Sequence, residues 1–252
     1  MKFFFNSSEN EEAIKAKNNL VNKYGQNSPE QSDIIIPIGG DGFLLKNLHK
    51  FHDLKIPFFG INYGSIGFLM NPHVKNNLIN TIESSKETIL IPLEMKAYDE
   101  NNNSYNSIAY NEVSMMRQTH QAAKINIHIN NIERMKELIC DGVLLATAAG
   151  STAYNLSAHG SIVPLDSKLL ALTPISSFRP RSWKGALLQQ KNIIKLSVID
   201  FKKRPVSVTA DNTEFRNIQR VEIKSSNKIT CKLLFDNNHS MEERILKEQF
   251  YS

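Results

Sequence analysis

The chain has 252 residues, 41% of them hydrophobic and 22% charged, the balance of a globular protein with core enough for one large domain or two smaller ones. Its formal charge of +5 comes from scattered lysines with no basic block among aromatics, which excludes a nucleic-acid face and leaves a solvated surface or a phosphate-rich small substrate. No run nears the ~20 apolar residues of a membrane span, the opening MKFFFNSSENEEAIKAK turns acidic too soon for a signal peptide, and Cys140 and Cys231 form no CxxC pair, so the expectation is a cytoplasmic protein without membrane, disulfide framework or zinc site.

Residues 2–6 are expected to form a strand and Glu9–Tyr24 an amphipathic helix, with Ala13, Ala16, Leu20 and Val21 on one side and Gly25 as its stop. Asp33–Ile38 is almost continuously apolar, the pattern of a strand covered on both faces. Leu44–Phe51 has a helical period, Pro57–Ile61 reads as another buried strand and Val74–Ser84 as another helix. Strands alternating with helices predict an open, mostly parallel α/β sheet.

After Pro92 the texture changes. MKAYDENNNSYNSIAYNEVSM reads as two strands joined by an Asn-rich turn, and KINIHINNIERM alternates strictly, with Asn130-Asn131 as a tight hairpin turn. A strand is expected over Val143–Ala146, and little helix except around Tyr154–Ala158. From Ile193 to Phe235 short strands follow, with turns at Asp211-Asn212 and Ser226-Asn227, and Met241–Phe250 reads as a closing helix. The expected organisation is an α/β domain over 1–91, a β-rich, sandwich-like domain over 92–235, and a C-terminal segment over 236–252.

Three stretches suit chemistry. In IIIPIGGDGFLLK, residues 34–46, a buried strand ends in Gly39-Gly40-Asp41-Gly42 just before a helix. Such a junction offers free backbone N–H groups and a helix dipole to phosphates. It is neither a Walker loop nor GxGxxG. A carboxylate there repels phosphate, so Asp41 serves a magnesium ion or takes a hydroxyl proton; the plainer reading is a helix cap. The second stretch, NYGSIGFLMN at 62–71, also follows a strand and is expected to face the Asp41 loop across the carboxyl ends of the sheet. In the third, DGVLLATAAGSTAYNLSAHGS at 141–161, Gly150-Ser151-Thr152 leads into a short helix carrying Tyr154 and Ser157. Alone, Ser151 or Thr152 reads as a cap and Tyr154 as core; the whole string is more specific.

Taken together, GGDG at 39–42, Asn111-Glu112 within AYNEVSM, Asp141-Gly142 and GSTAYNLSAHG at 150–160 resemble the bacterial NAD kinase family in order and spacing over nearly the whole chain. The resemblance implies phosphorylation of the adenosine 2′-hydroxyl of NAD by ATP, or by polyphosphate in some members, with a divalent metal, Mg²⁺ by preference. It also implies that residues 236–252 pack back on the first domain. By the same resemblance Asp41 is the proton acceptor and Gly42 lies against substrate. Asn111 and Glu112 hold the ribose and nicotinamide side of NAD, and Asp141, Ala149 (through its backbone), Thr152, Ala153, Tyr154, Asn155, Leu156 and Ser157 complete its binding. LTPISSF matches the part through which a neighbouring subunit of a homotetramer contributes, which implicates Ser176 and Phe178.

The chain departs from the family pattern at Phe43, where Thr or Ser commonly stands, at Ala148-Ala149 in place of Pro and a hydroxyl residue, and at Ala122 and Ile139, where some relatives carry arginine. GGDG also occurs in diacylglycerol-type lipid kinases, and a non-catalytic NAD-binding regulator would keep the same binding residues; these are the alternatives. His49, His52 and His73 lack metal-ligand spacing, His159 reads as a turn-packing residue, and Trp183 with Arg179 and Arg181 reads as an anion patch or a subunit contact.

Overall fold

A computed structural model of the protein describes residues 1–64, 67–74, 77–181 and 183–237. The chain divides into two compact units, one of residues 1–90 together with the chain from Ile229 onward, the other of residues 91–228.

The first unit starts with β1 (Phe3–Ser7) and α1 (Glu11–Tyr24). Asn10 caps α1 by accepting the Glu12 N–H, and Gly25 ends it at φ 78°, a conformation glycine adopts without Cβ strain. β2 (Ile34–Gly39) is buried along its whole length. It lies between β1 and β3 (Ile61–Asn62), parallel to both. The strand expected over Pro57–Ile61 is broken: Phe58 bridges Ile35 on one side and Leu233 on the other, and regular pairing resumes only at Ile61. α2 (Asp41–Phe51) follows β2 directly, α3 is Leu78–Glu83, and β4 is Lys86–Leu90. The core is Phe3, Phe5, Ile34, Ile36, Ile38 and Phe59, covered by Ala13, Leu78 and Ile82 from the helices. Strand Cys231–Phe235, expected in the second domain, pairs antiparallel with β4 and so belongs to the first unit. Its alternate residues Cys231, Leu233 and Phe235 are buried, which is what ties it there. The expected closing helix Met241–Phe250 lies outside the described residues.

The second unit is antiparallel β throughout its two sheets. Its strands are β5 (Leu93–Asp99), β6 (Ser104–Ala109), β7 (Glu112–Arg117), β8 (Ala123–Ile129), β9 (Ile132–Cys140), β10 (Gly142–Ala146), β11 (Leu169–Ile175), β12 (Ala186–Gln189), β13 (Ile194–Val198), β14 (Val206–Ala210), β15 (Thr213–Phe215) and β16 (Ile218–Ser225), with α4 (Tyr154–Ser157) between β10 and β11. Cys231–Phe235 is β17. One sheet runs β12-β11-β10-β7-β14-β15, the other β6-β5-β16-β13-β8-β9. Val113, Met115, Val143 and Leu145 of the first meet Leu93, Met95, Ile125, Ile127 and Leu196 of the second in a single core, the arrangement of a sandwich. β10 also buries its other face, where Leu144 and Ala146 pack on Val163 and Ala171, which is why Val143–Ala146 shows no alternation in the sequence. The β8–β9 turn has Asn130 at φ 52° and Asn131 at φ 64°, the two left-handed residues of a tight hairpin. The overall class is thus the expected one: parallel sheet with helices, then an antiparallel sandwich.

Candidate active site

In the first unit, Asp41 occupies the first position of α2, yet no side chain caps that helix. Its carboxylate turns to the second glycine loop: Oδ2 accepts the Phe68 N–H at 2.7 Å and Oδ1 the Leu69 N–H at 3.0 Å. The two loops were expected to face one another, and they do. A Cβ on Gly64 would stand 2.9 Å from the Gly40 Cα, so the two loops approach this closely because Gly64 is a glycine, while inside the second loop a Cβ on Gly67 would stand 2.9 Å from the Asn62 side chain. Gly42 is exposed, with nothing within 4 Å of where a Cβ would be. A carboxylate has about four acceptor positions, and these two N–H bonds fix the orientation of this one. His73 stacks on Tyr63 with ring centroids 4.0 Å apart, a packing role.

In the second unit the Asn-Glu motif opens β7. Thr147, just past β10, holds it from one side: its Oγ1 donates to Tyr110 O at 2.6 Å and its N–H to Asn111 O at 2.9 Å. The same Oγ1 accepts the Gly150 N–H at 3.0 Å. Gly150 is forced by contact, since a Cβ there would lie 2.1 Å from Asn111 O. The Glu112 carboxyl is set among Asp211 and Tyr154. Burial first, then the Asp211 charge, pushes its pKa up to about 7, against a bond from the Tyr154 backbone N–H that acts the other way. Its Oε2 is buried with no hydrogen-bond partner among the described residues. Buried polar atoms are nearly always paired, so this oxygen makes Glu112 a candidate binding residue.

The GSTAY string forms a single 3-10 turn over Ala149–Thr152 and then α4. Tyr154 is partly exposed, its hydroxyl 3.7 Å from Met116 Sδ, and burial together with the Glu112 and Asp141 charges raises its pKa. Asn155 is fully buried: its amide donates to Ser151 O and Ser161 O, each at 3.0 Å, and accepts from Thr173 Oγ1 at 2.6 Å. Its side chain therefore shapes the loop. Thr152 and Ala149 are buried, Ala153 and Leu156 are half-buried and Ser157 is exposed. Asp141 pairs with Arg117 (Oδ1 to Nε, 2.6 Å), and its N–H donates to Ile175 O, which puts Ser176 beside it. Cys140, next in line, is a buried thiol pushed up to about 12 chiefly by that burial, so it is inert. Sequence reasoning did not find Thr147, Arg117 or Asp211. Thr147 and Arg117 are ordinary strand-end residues in the sequence, and at Asp211-Asn212-Thr213 the family match is too loose to name a site, leaving Asp211 as a turn residue.

An α/β unit with a carboxylate in a double glycine loop, and a sandwich unit whose buried Glu112 carboxyl leaves one oxygen unpartnered, define the class of a two-domain kinase. The model of the ATP-NAD kinase N-terminal domain matches residues 2–87 and that of the ATP-NAD kinase C-terminal domain residues 110–230. The NAD kinase of Rickettsia felis is 55% identical over 221 residues, covering 88% of this chain and 87% of the relative. That of Rickettsia bellii is 49% identical over 243 residues, covering 96% and 95%. Among solved structures, yeast NADH kinase complexed with NADH superposes with a TM-score of 0.83 at 19% identity, over 100% of this chain and 88% of that one. An NAD kinase from Archaeoglobus fulgidus in complex with ATP gives 0.78 at 22%, over 98% of each. The chain belongs to the NAD kinase family.

Proposed function

We propose that this protein transfers the terminal phosphoryl group of ATP to the adenosine 2′-hydroxyl of NAD, giving NADP and ADP, and that Asp41 is its base. The secondary hydroxyl is a poor nucleophile near neutral pH. Asp41 takes its proton as the oxygen–phosphorus bond forms and the bond from that phosphorus to the bridging oxygen of ADP breaks. The glycines leave phosphates room to approach, and backbone N–H groups offset part of their charge. Asn111 and Glu112 bind the nicotinamide ribose and amide, with Glu112 accepting from the ribose diol. Asp141, the 149–157 loop through its backbone and Tyr154, and Ser176 contribute the remaining contacts. Among the described residues no three His, Cys, Asp or Glu side chains are grouped to hold a metal ion. The divalent cation of the reaction is expected to arrive on the triphosphate, as part of the substrate, which is the usual habit of Mg²⁺.

The observation that carries the residue-level reading is the buried Oε2 of Glu112, an acceptor that no described residue partners. The lipid-kinase alternative rests on GGDG alone, whereas the family match extends through residues 110–230. The regulator alternative would gain nothing from a carboxylate beside phosphates. Incubation with NAD, ATP and magnesium, followed by an NADP-specific dehydrogenase, should generate NADPH; NAD binding without NADPH would leave only the regulator. Polyphosphate in place of ATP gives the donor range. No described helix is long and apolar enough to cross a membrane.

A further inference from the structure

The Asn111-Glu112 turn is held from a second side by a residue far away in sequence. Asp211, in the turn between β14 and β15, accepts three successive backbone N–H groups: Tyr110 on Oδ2 at 2.7 Å, and Asn111 and Glu112 on Oδ1 at 2.9 and 3.3 Å. Its own N–H returns a bond to Glu112 O at 3.1 Å. β14 pairs with β7 in the register Ala210↔Val113, which delivers the turn to this place.

We infer that Asp211 is the positioning residue for NAD recognition: it clamps the backbone of Tyr110–Glu112 so that the Asn111 and Glu112 side chains are presented to the dinucleotide. The inference rests on the reading of Asn111 and Glu112 as NAD-binding residues. The turn itself does not ask for a carboxylate. Asp211 sits at φ 51°, where asparagine or glycine is equally at home. Three converging N–H groups do ask for one, because they make an anion nest. An asparagine would turn its own NH₂ toward one of those donors.

The clamp has an electrostatic consequence. Glu112 is faced by Asp211 from the β14–β15 turn and by Tyr154 from α4, and Tyr154 also feels Asp141, itself paired with Arg117. The Asp211 charge therefore holds back ionisation of Glu112. Removing the charge and the clamp together should impair NAD binding while letting Glu112 ionise at lower pH. A merely structural residue would not produce the second effect.

The test is steady-state kinetics of the full-length enzyme from about pH 5.5 to 8.5, with NAD and ATP each varied, for wild type, Asp211→Asn and Glu112→Ala. Asp211→Asn should raise KM for NAD ~10-fold or more, leave KM for ATP within about twofold, and move the inflection in the KM for NAD toward acid. An unchanged KM for NAD, a rise shared equally by ATP, or an unmoved inflection overturns the inference. Glu112→Ala separates the two levels. If it leaves KM for NAD unchanged, the reading of Glu112 has failed; if it raises that KM while Asp211→Asn behaves as wild type, only the role of Asp211 has failed. Should Asp211→Asn not fold, amide hydrogen exchange of the wild-type protein decides. Slow exchange at Asn111 and Glu112 supports the clamp, and fast exchange refutes it.

Discussion

Asp41 stands where a carboxylate ordinarily caps its own helix, but both of its oxygens are tied to N–H groups of another loop. A cap would have been a local stabiliser; this arrangement fixes an acceptor in space, which suits a base. Asp41→Asn keeps the size, removes the basicity, and can accept only one of the two N–H bonds. Its kcat in the coupled NADPH assay should fall ~10²–10⁴-fold, the usual contribution of general base catalysis, while NAD affinity by calorimetry changes little. A near-normal kcat with lost NAD affinity would make Asp41 a binding residue instead. Glu112 supplies a test that needs no substrate. Folding raises its pKa from 4.5 to about 7, so its contribution to stability is fully present below about pH 4.5 and is lost as pH rises through about 7. The shift is worth ~3 kcal/mol. Glu112→Gln carries no such titration. Urea unfolding of the ligand-free proteins should show the variant gaining up to ~3 kcal/mol on wild type between pH 5 and 8, and parallel profiles would show that the carboxyl ionises freely in the fold.

At the scale of elements, the Asn-Glu turn and the turn over Ala149–Thr152 form one body, joined through Thr147 and by the contact at Gly150. Gly150→Ala would force a methyl group to 2.1 Å from Asn111 O, and that oxygen is backbone and cannot swing aside. The expected loss is ~1–3 kcal/mol or more of stability, seen as a lower Tm, with a weaker NAD affinity by calorimetry. An unchanged Tm would mean the two motifs are not in contact. None of this coupling was legible in the sequence, because it depends on strand register. What was legible were features with a local cause: the period of α1 and its Gly25 stop, the alternation of β8, the Asn130-Asn131 turn, and the change of texture after Pro92. The strand expected over Pro57–Ile61 lies between its neighbours but is interrupted, Phe58 pairing only as isolated bridges, because an apolar run reports burial and not regular pairing. Residues Cys231–Phe235 were expected in the wrong unit because alternation says that one face is buried, not which sheet accepts it. The 39–42, 111–112 and 150–157 motifs were visible as strings, whereas Asp211 showed only a loose match, since its role depends on partners about a hundred residues earlier.

At the scale of the whole molecule, the exposed surface around Phe178 bears on assembly. Phe178 is 53% exposed, and the Arg179 and Arg181 guanidiniums lie 5.3 and 5.4 Å from its ring centroid. Its N–H is bound to Ile139 O at 2.7 Å, so the ring is carried on backbone anchored at the end of β9. An aromatic ring with two guanidiniums close to it, carried on an anchored strand end, has the composition of an interface anchor, since aromatic residues and arginine are enriched in such contacts. Ser176, two residues earlier, adjoins Asp141, so a contact made here reaches the residues proposed to bind NAD. The active species is accordingly expected to be a homo-oligomer, a tetramer by family resemblance. Sedimentation at micromolar concentration should show it directly. Phe178→Ala removes the ring and leaves both charges. If the ring is an anchor, its loss costs ~2 kcal/mol or more of association, a roughly 30-fold rise in the dissociation constant, and specific activity should fall in step with the shift to smaller species. The fold of each chain should persist, because the side chain is exposed and its truncation opens no cavity, so circular dichroism and Tm should stay at wild-type values. A wild-type monomer with full activity, or a Phe178→Ala oligomer indistinguishable from wild type, would remove this surface from the enzyme's assembly.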